Sequence, residues 1–358
     1  KTGNNKDERR PYSHSLTVQE EIDMQFLSEK PHLSFRHPLL AVVLANTMLS
    51  TVPGISGAGP TPEKTLLTPN LDSELVATGA ITSLPVKPDT PTGCPTPSTI
   101  TRSMAALTGL VPAFVNGGLV HAPSVPCIDV YGEPGADPRF SNAVPRAREL
   151  YSRGRLAGEF FSAYSDLLVL GECVPGGTTT ALCVLRALGI DARVSSSFAD
   201  NPHSKKDDVC TAVLERIGSV PSDPLDVVRA AGDPMIAVAA GICASYRGTV
   251  ILAGGTQMLA VAAVLKGLGM PMPDLATTAY VRDDASASFT ATCADVGAHA
   301  YYVDPDFGDL GHAGLARYCI GEVKEGMGAG GAMFLASLMG HPPAAITGAI
   351  LDFIRGYA

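Results

Sequence analysis

Short, almost uninterrupted apolar runs alternate along the chain with longer segments of mixed polarity. Leu39-Leu-Ala-Val-Val-Leu-Ala-Asn-Thr47, Val111-Pro-Ala-Phe-Val-Asn116, Leu167-Leu-Val-Leu170 and Thr249-Val-Ile-Leu-Ala253 lack polar alternation, so they predict strands covered on both faces, as in a parallel sheet. Ala276–Val281 and Ala298–Asp304 extend the series, and Ala192–Ser197 reads as a short strand or the exit from one. Between them, apolar positions with helical spacing predict helices over Asp72–Ala80, Ser98–Gly109 (with Ser98 as N-cap), Ala143–Gly158, Ala181–Gly189, Asp207–Ile217, Pro224–Ala240, Gln257–Leu268, Ala285–Gly297 and Ala332–Met339. Five prolines exclude regular structure from Leu84–Thr99, and 121–138 reads as loop. The pattern predicts an α/β fold: three layers, α/β/α, around a mostly parallel Rossmann-like sheet of about six strands. A smaller, mainly helical part comes from the two ends. Residues 1–35 form an N-terminal arm or helical segment, strongly polar over 1–22. Residues 36–320 form the sheet domain. Residues 321–358 form a C-terminal loop and helical segment.

Composition narrows the partners. With 358 residues, 46% hydrophobic and 17% charged, the chain can bury a large core. A formal net charge of −9 argues against nucleic acid, whose phosphates demand basic surface. The eight cysteines show no Cys-x-x-Cys spacing, so free thiols in a reducing cytoplasm are expected rather than a zinc site. No run of eighteen apolar residues exists and the given start is hydrophilic, so neither a membrane span nor a signal peptide is expected. His203, His299, His312 and His341 have no ligand spacing, and no metal is expected.

The chemistry concentrates after the strands. Gly171-Glu-Cys-Val-Pro-Gly-Gly-Thr-Thr-Thr180 lies between a strand and a helix, where backbone N–H groups at a helix N-terminus bind anions. Gly176, Gly177, Thr178, Thr179 and Thr180 are the phosphate candidates, and Glu172 puts a carboxylate beside them. Asn116-Gly-Gly118 and Gly254-Gly-Thr256 also end strands, and convergence of such loops at one sheet edge makes a site in these folds. Glycine after a strand is equally ordinary turn chemistry. Near the end, Glu325 precedes Gly326-Met-Gly328 and a helix; a carboxylate there complements the helix dipole, while the glycines let a ligand approach.

The two glutamate motifs together resemble the nicotinate-nucleotide:dimethylbenzimidazole phosphoribosyltransferase family, most closely a divergent archaeal and cyanobacterial branch. Glu172–Thr180 is similar to the bacterial Glu-Met-Gly-Ile-Gly-Asn-Thr-Thr, and Glu325-Gly-Met-Gly-Ala329 to Glu-Gly-Thr-Gly-Ala. Gly254-Gly255 matches a third glycine pair, and the likeness runs from about residue 35 to the end. Val-Pro-Gly-Gly stands where the bacterial form has Met-Gly-Ile-Gly-Asn, and Met327 replaces a threonine; the bacterial base-pocket residues find no match.

The resemblance implies transfer of 5-phosphoribosyl from nicotinate mononucleotide to a nitrogen of an aromatic base. The product is the nucleotide of a cobamide lower ligand; no cofactor is needed, and the protein is expected to be a homodimer. Glu325 takes the family's general-base role, and Glu172 holds the ribose or assists. Gly176, Gly177 and Thr178–Thr180 bind phosphate, with Gly254, Gly255 and Thr256 closing the other side. Gly326, Met327 and Gly328 contact the base. The family also uses a lysine in a region matching Lys205 or Lys206, although a lysine pair on a polar loop, as 200–206 reads, is ordinarily solvated. Two other readings keep the glycine loops: a nucleotide-binding protein without turnover, and a phosphoribosyl transferase or hydrolase with another acceptor.

Overall fold

The computed structural model describes residues 25–357. In chain order the elements are β1 (Pro38–Ala45), α1 (Pro62–Thr78), α2 (Pro97–Thr108), β2 (Ala113–Gly118), β3 (Ile128–Asp129), α3 (Ala147–Phe161), β4 (Leu167–Cys173), α4 (Gly177–Ala187), α5 (His203–Ile217), α6 (Pro224–Ala231) and α7 (Pro234–Ser245). There follow β5 (Thr249–Ala253), α8 (Thr256–Gly267), β6 (Asp274–Thr278), α9 (Ala279–Arg282), α10 (Phe289–Val296), β7 (Ala300–Val303), α11 (Ala329–Leu338) and α12 (Pro343–Tyr357). Seven strands pair in the order β3-β2-β1-β4-β5-β6-β7, and every pairing is parallel. No helix among the described residues is long and apolar enough to cross a membrane.

The apolar runs are explained by burial on both faces: all seven residues of β4 are buried. Alternate residues enter opposite cores. Leu168 and Leu170 join Leu182, Ile236 and Leu259 under α4, α7 and α8. Leu167 and Val169 join Ile100, Phe334 and Ile350 under α2, α11 and α12. The order in which strands are added reverses between β1 and β4, the switch point where open α/β sheets bind ligands beyond the strands' carboxyl ends. Right-handed crossovers send connections on the two sides of such a point to opposite faces. Here α2 covers one face and α4 and α8 the other, leaving the first face open over β4–β6. The C-terminal α11 fills that space, with Phe334 stacked on Tyr301 at 4.8 Å. Its N-terminus thereby arrives at the carboxyl ends of β4–β6.

Several boundaries differ from expectation for identifiable reasons. The helix expected at Asp72–Ala80 is the end of α1, which starts earlier because Thr61 caps it by accepting Lys64 N–H at 3.3 Å with Pro62 next. Ser98 is not an N-cap: α2 begins at Pro97, and the Ser98 hydroxyl donates to Asp72 at 2.7 Å. The helix after the first motif begins at Gly177, not Ala181, so the three threonines are helical. Ala192–Ser197 is irregular, and the run from Ala276 stops as strand at Thr278, where α9 begins. The stretch 224–240 divides at Asp233, which caps α7 by accepting Ile236 N–H at 3.3 Å. β3 lies inside the segment read as loop. The expected polar arm at 1–22 falls outside the described residues.

Candidate active site

Residues from both glutamate motifs line one cavity of about 1140 Å³, counting its open mouth. Glu172, Gly176 and Thr178 come from the end of β4 and the start of α4; Gly255, Thr256 and Gln257 come from the start of α8. Lys324, Glu325, Gly326 and Met327 come from the turn into α11. The Met327 N–H donates to the Glu172 carbonyl at 3.0 Å, tying the two motifs together. That approach needs glycine: a Cβ on Gly171 would lie 3.0 Å from Gly328 Cα, and one on Gly330 only 2.5 Å from the Thr277 carbonyl carbon. Val323 and Met327, on either side of Glu325, hold φ of 53° and 52°. A β-branched residue in the left-handed region is strained, as backbone at functional sites often is.

The carboxyls differ in their surroundings. Glu172 is buried and accepts the Val174 N–H at 3.1 Å. Burial, then the negative charges of Asp233 and Glu325, raises its pKa to about 8. Glu325 accepts N–H groups from Gly330 (3.1 and 3.2 Å), Gly326 (3.2 Å) and Thr278 (3.3 Å), plus the Thr277 hydroxyl (3.2 Å). Burial raises it to about 7, and those donors act in the opposite direction. Of the two, Glu172 therefore keeps its proton to higher pH.

Other expected site residues are placed differently. Gly177 abuts Gln257, whose Oε1 would lie 1.9 Å from an added Cβ. Thr179 and Thr180 are fully buried, contrary to the expectation of phosphate-facing hydroxyls; Thr180 donates to Asp233, the N-cap of α7, at 2.5 Å. Gly254 sits beside the Glu172 carboxylate and Gly328 against Gly171. The loop Asn116-Gly-Gly118 does not converge on the cavity: a Cβ on Gly118 would lie 2.4 Å from the Glu133 carbonyl oxygen, so its glycines serve chain packing. The lysine pair splits. Lys205 is exposed and donates to the Pro53 carbonyl at 3.3 Å. Lys206 is fully buried, donating to the Ser195 carbonyl at 2.6 Å and the Thr178 hydroxyl at 3.3 Å, which corrects the expectation of a solvated pair. Burial, then Lys324, lowers its pKa to about 7.

Sequence reasoning missed Asp72, Ser195–Ser197 and Lys324, which also line the cavity. Lys324 donates to the carbonyls of Gly321 (2.8 Å) and Ser196 (3.0 Å) and pairs with Asp284 at 3.3 Å. Its adjacency to Glu325 was the available signal. Asp72 carried none, since an isolated acid on a helix resembles any solvated one.

A family model described as phosphoribosyltransferase matches residues 151–290. Among archaeal relatives, the UPF0284 protein of Thermococcus onnurineus is 45% identical over 324 residues, covering 88% of this chain and 97% of its own. That of Methanosarcina mazei is 42% identical over 325 residues, covering 88% and 92%. Among solved structures, the nicotinate-nucleotide-dimethylbenzimidazole phosphoribosyltransferase of Thermus thermophilus aligns with a TM-score of 0.58 at 16% identity, over 90% of this chain and 83% of that one. A second structure from that organism, described as CobT, gives 0.58 at 17% identity, over 91% and 85%. At such identity the likeness shows the fold, and the fold is shared. The family model, the archaeal relatives and the common architecture bear out the resemblance carried by the two glutamate motifs.

Proposed function

Since the chain belongs to the UPF0284 family and bears a phosphoribosyltransferase segment within it, we propose that it moves 5-phosphoribosyl from nicotinate mononucleotide to a nitrogen of an aromatic, dimethylbenzimidazole-like base. The products are nicotinate and an α-ribazole-type nucleotide for a cobamide lower ligand. One observation carries this reading: Glu172 and Glu325 line one cavity together with the N-termini of α4 and α8.

The substrate's chemistry fits those parts. Nicotinate leaves as a neutral ring from a pyridinium, so departure needs no general acid. Positive charge builds on the ribose instead, as in oxocarbenium-like glycoside cleavage. The incoming azole attacks through one nitrogen and must lose a proton from the other, which calls for a base with pKa near the working pH. Glu325, at about 7, suits that role. Glu172 keeps its proton longer and serves the ribose hydroxyls. The phosphate sits at Gly176, Thr178, Gly255 and Thr256, where two helix N-termini supply N–H donors. Lys206 adds positive charge behind Thr178. The active unit is a homodimer, and sedimentation at monomer mass would remove that part.

The test incubates the protein with nicotinate mononucleotide and a panel of bases: dimethylbenzimidazole, benzimidazole, adenine and phenols. Nicotinate and a new nucleotide are followed by mass. Base-dependent nicotinate release is expected. Binding of nicotinate mononucleotide with no release against any base would leave a binding protein instead.

A further inference from the structure

The cavity has two chemically distinct walls, and strand geometry assigns them. Side chains alternate along β4, so Glu172 and Cys173 point to opposite faces. Glu172 shares the face of α4, α8 and Asp233. Cys173 lies on the other face, clustered with Val76 of α1 and with Met327. The phosphate cradle therefore belongs to the first wall, while Glu325, Met327, Pro97, Thr96 and Asp72 form the second.

Asp72 is the unusual member of that second wall. Its Oδ1 accepts the Ser98 hydroxyl at 2.7 Å, and its Oδ2 accepts the Cys173 thiol at 3.7 Å. Two acceptances leave lone pairs of an ionised carboxylate unused. Its side chain is only partly exposed, and it lines the cavity. A carboxylate on the wall that carries the proposed base must meet a donor on the acceptor, because leaving it unmet when the acceptor excludes water costs its desolvation. A methyl edge offers no donor.

Resting on the transferase reading but narrowing its acceptor, we propose that Asp72 determines acceptor specificity, selecting among benzimidazole-type bases one whose ring edge carries an N–H or O–H donor over one with an apolar edge, dimethylbenzimidazole's included. The proton-accepting nitrogen chemistry stays with Glu325. Asp72 accepts a hydrogen bond from the far edge of the same ring and does not take part in bond making.

The experiment compares two acceptors of nearly equal shape, 5-aminobenzimidazole and 5-methylbenzimidazole, by kcat/KM with nicotinate mononucleotide. The wild type is expected to favour the amino compound roughly 10- to 100-fold, the scale of one hydrogen bond to a charged group. That ratio should shrink in Asp72→Asn and vanish in Asp72→Ala. Asp72→Asn keeps the side-chain shape should the alanine variant fail to fold. A wild-type ratio of one or less, or a ratio kept in Asp72→Asn, overturns the proposal. Equilibrium binding of the two free bases to wild type and Asp72→Asn reads the same preference without turnover. Absence of turnover with every base would thus sink the transferase reading alone, whereas equal binding of the two bases would sink this one.

Discussion

Glu172 and Glu325 face the same cavity, yet the chain supports them in opposite ways. Glu172 ends a fully buried strand and receives one backbone N–H, from Val174. Glu325 lies in a left-handed turn before α11 and receives N–H groups from Gly326, Thr278 and Gly330. Burial beside the negative charges of Asp233 and Glu325 makes a carboxyl that keeps its proton. Burial balanced by backbone donors makes one that exchanges it near neutrality. The two carboxyls thus differ in how firmly they hold a proton by surroundings rather than by residue type.

The sharpest test of that division is removal of each member. Glu325→Ala should lower the transfer rate at least ~100-fold, the scale for losing a general base, while Glu172→Gln should cost only about tenfold. Pre-steady-state nicotinate release measures both, and equal losses would erase the distinction. Next comes the contrast between neighbours on α5. Lys206→Met should raise the KM for nicotinate mononucleotide roughly tenfold with kcat little changed, the effect of one charge-assisted contact. Lys205→Met, exposed and bonded to the Pro53 carbonyl rather than to Thr178, should change it less than about twofold. Matching effects would show that burial of Lys206 is only structural.

The smallest effect is on stability. Both carboxyls are raised in the folded state, from 4.5 to about 8 for Glu172 and about 7 for Glu325. The folded protein then holds more protons than the unfolded chain between about pH 4.5 and 8. Stability from the neutral carboxyls is full below that window and is lost as pH rises through it. Glu172→Gln, which cannot ionise, should therefore melt above the wild type at pH 8 by roughly 2–4 °C, with the gap closing towards pH 5. Scanning calorimetry at the two pH values checks the sign; a gap that widened at low pH would contradict it.

Much of this was written locally. Continuous apolar runs specify a parallel sheet because only strands covered on both faces can be apolar throughout, and Thr249–Ala253 matches expectation residue for residue. Both glutamates and the glycines beside them were also legible, since a carboxylate next to a helix N-terminus is a local pattern. What the chain's order could not convey is which local patterns meet. Three strands run into glycine-rich turns, but Gly117 and Gly118 pack against neighbouring chain, including the 132–133 backbone, and do not line the cavity. The lysines at 205 and 206 are identical on paper, and a 100° turn of helix buries one and exposes the other. Asp72 reaches the cavity because α1 packs beside the end of β4, and α11 brings Glu325 there because its apolar face fills the open side of β4–β6. Periodicity is a property of neighbours and can be read along a chain; convergence depends on which faces remain to be buried, and only the packed structure decides that.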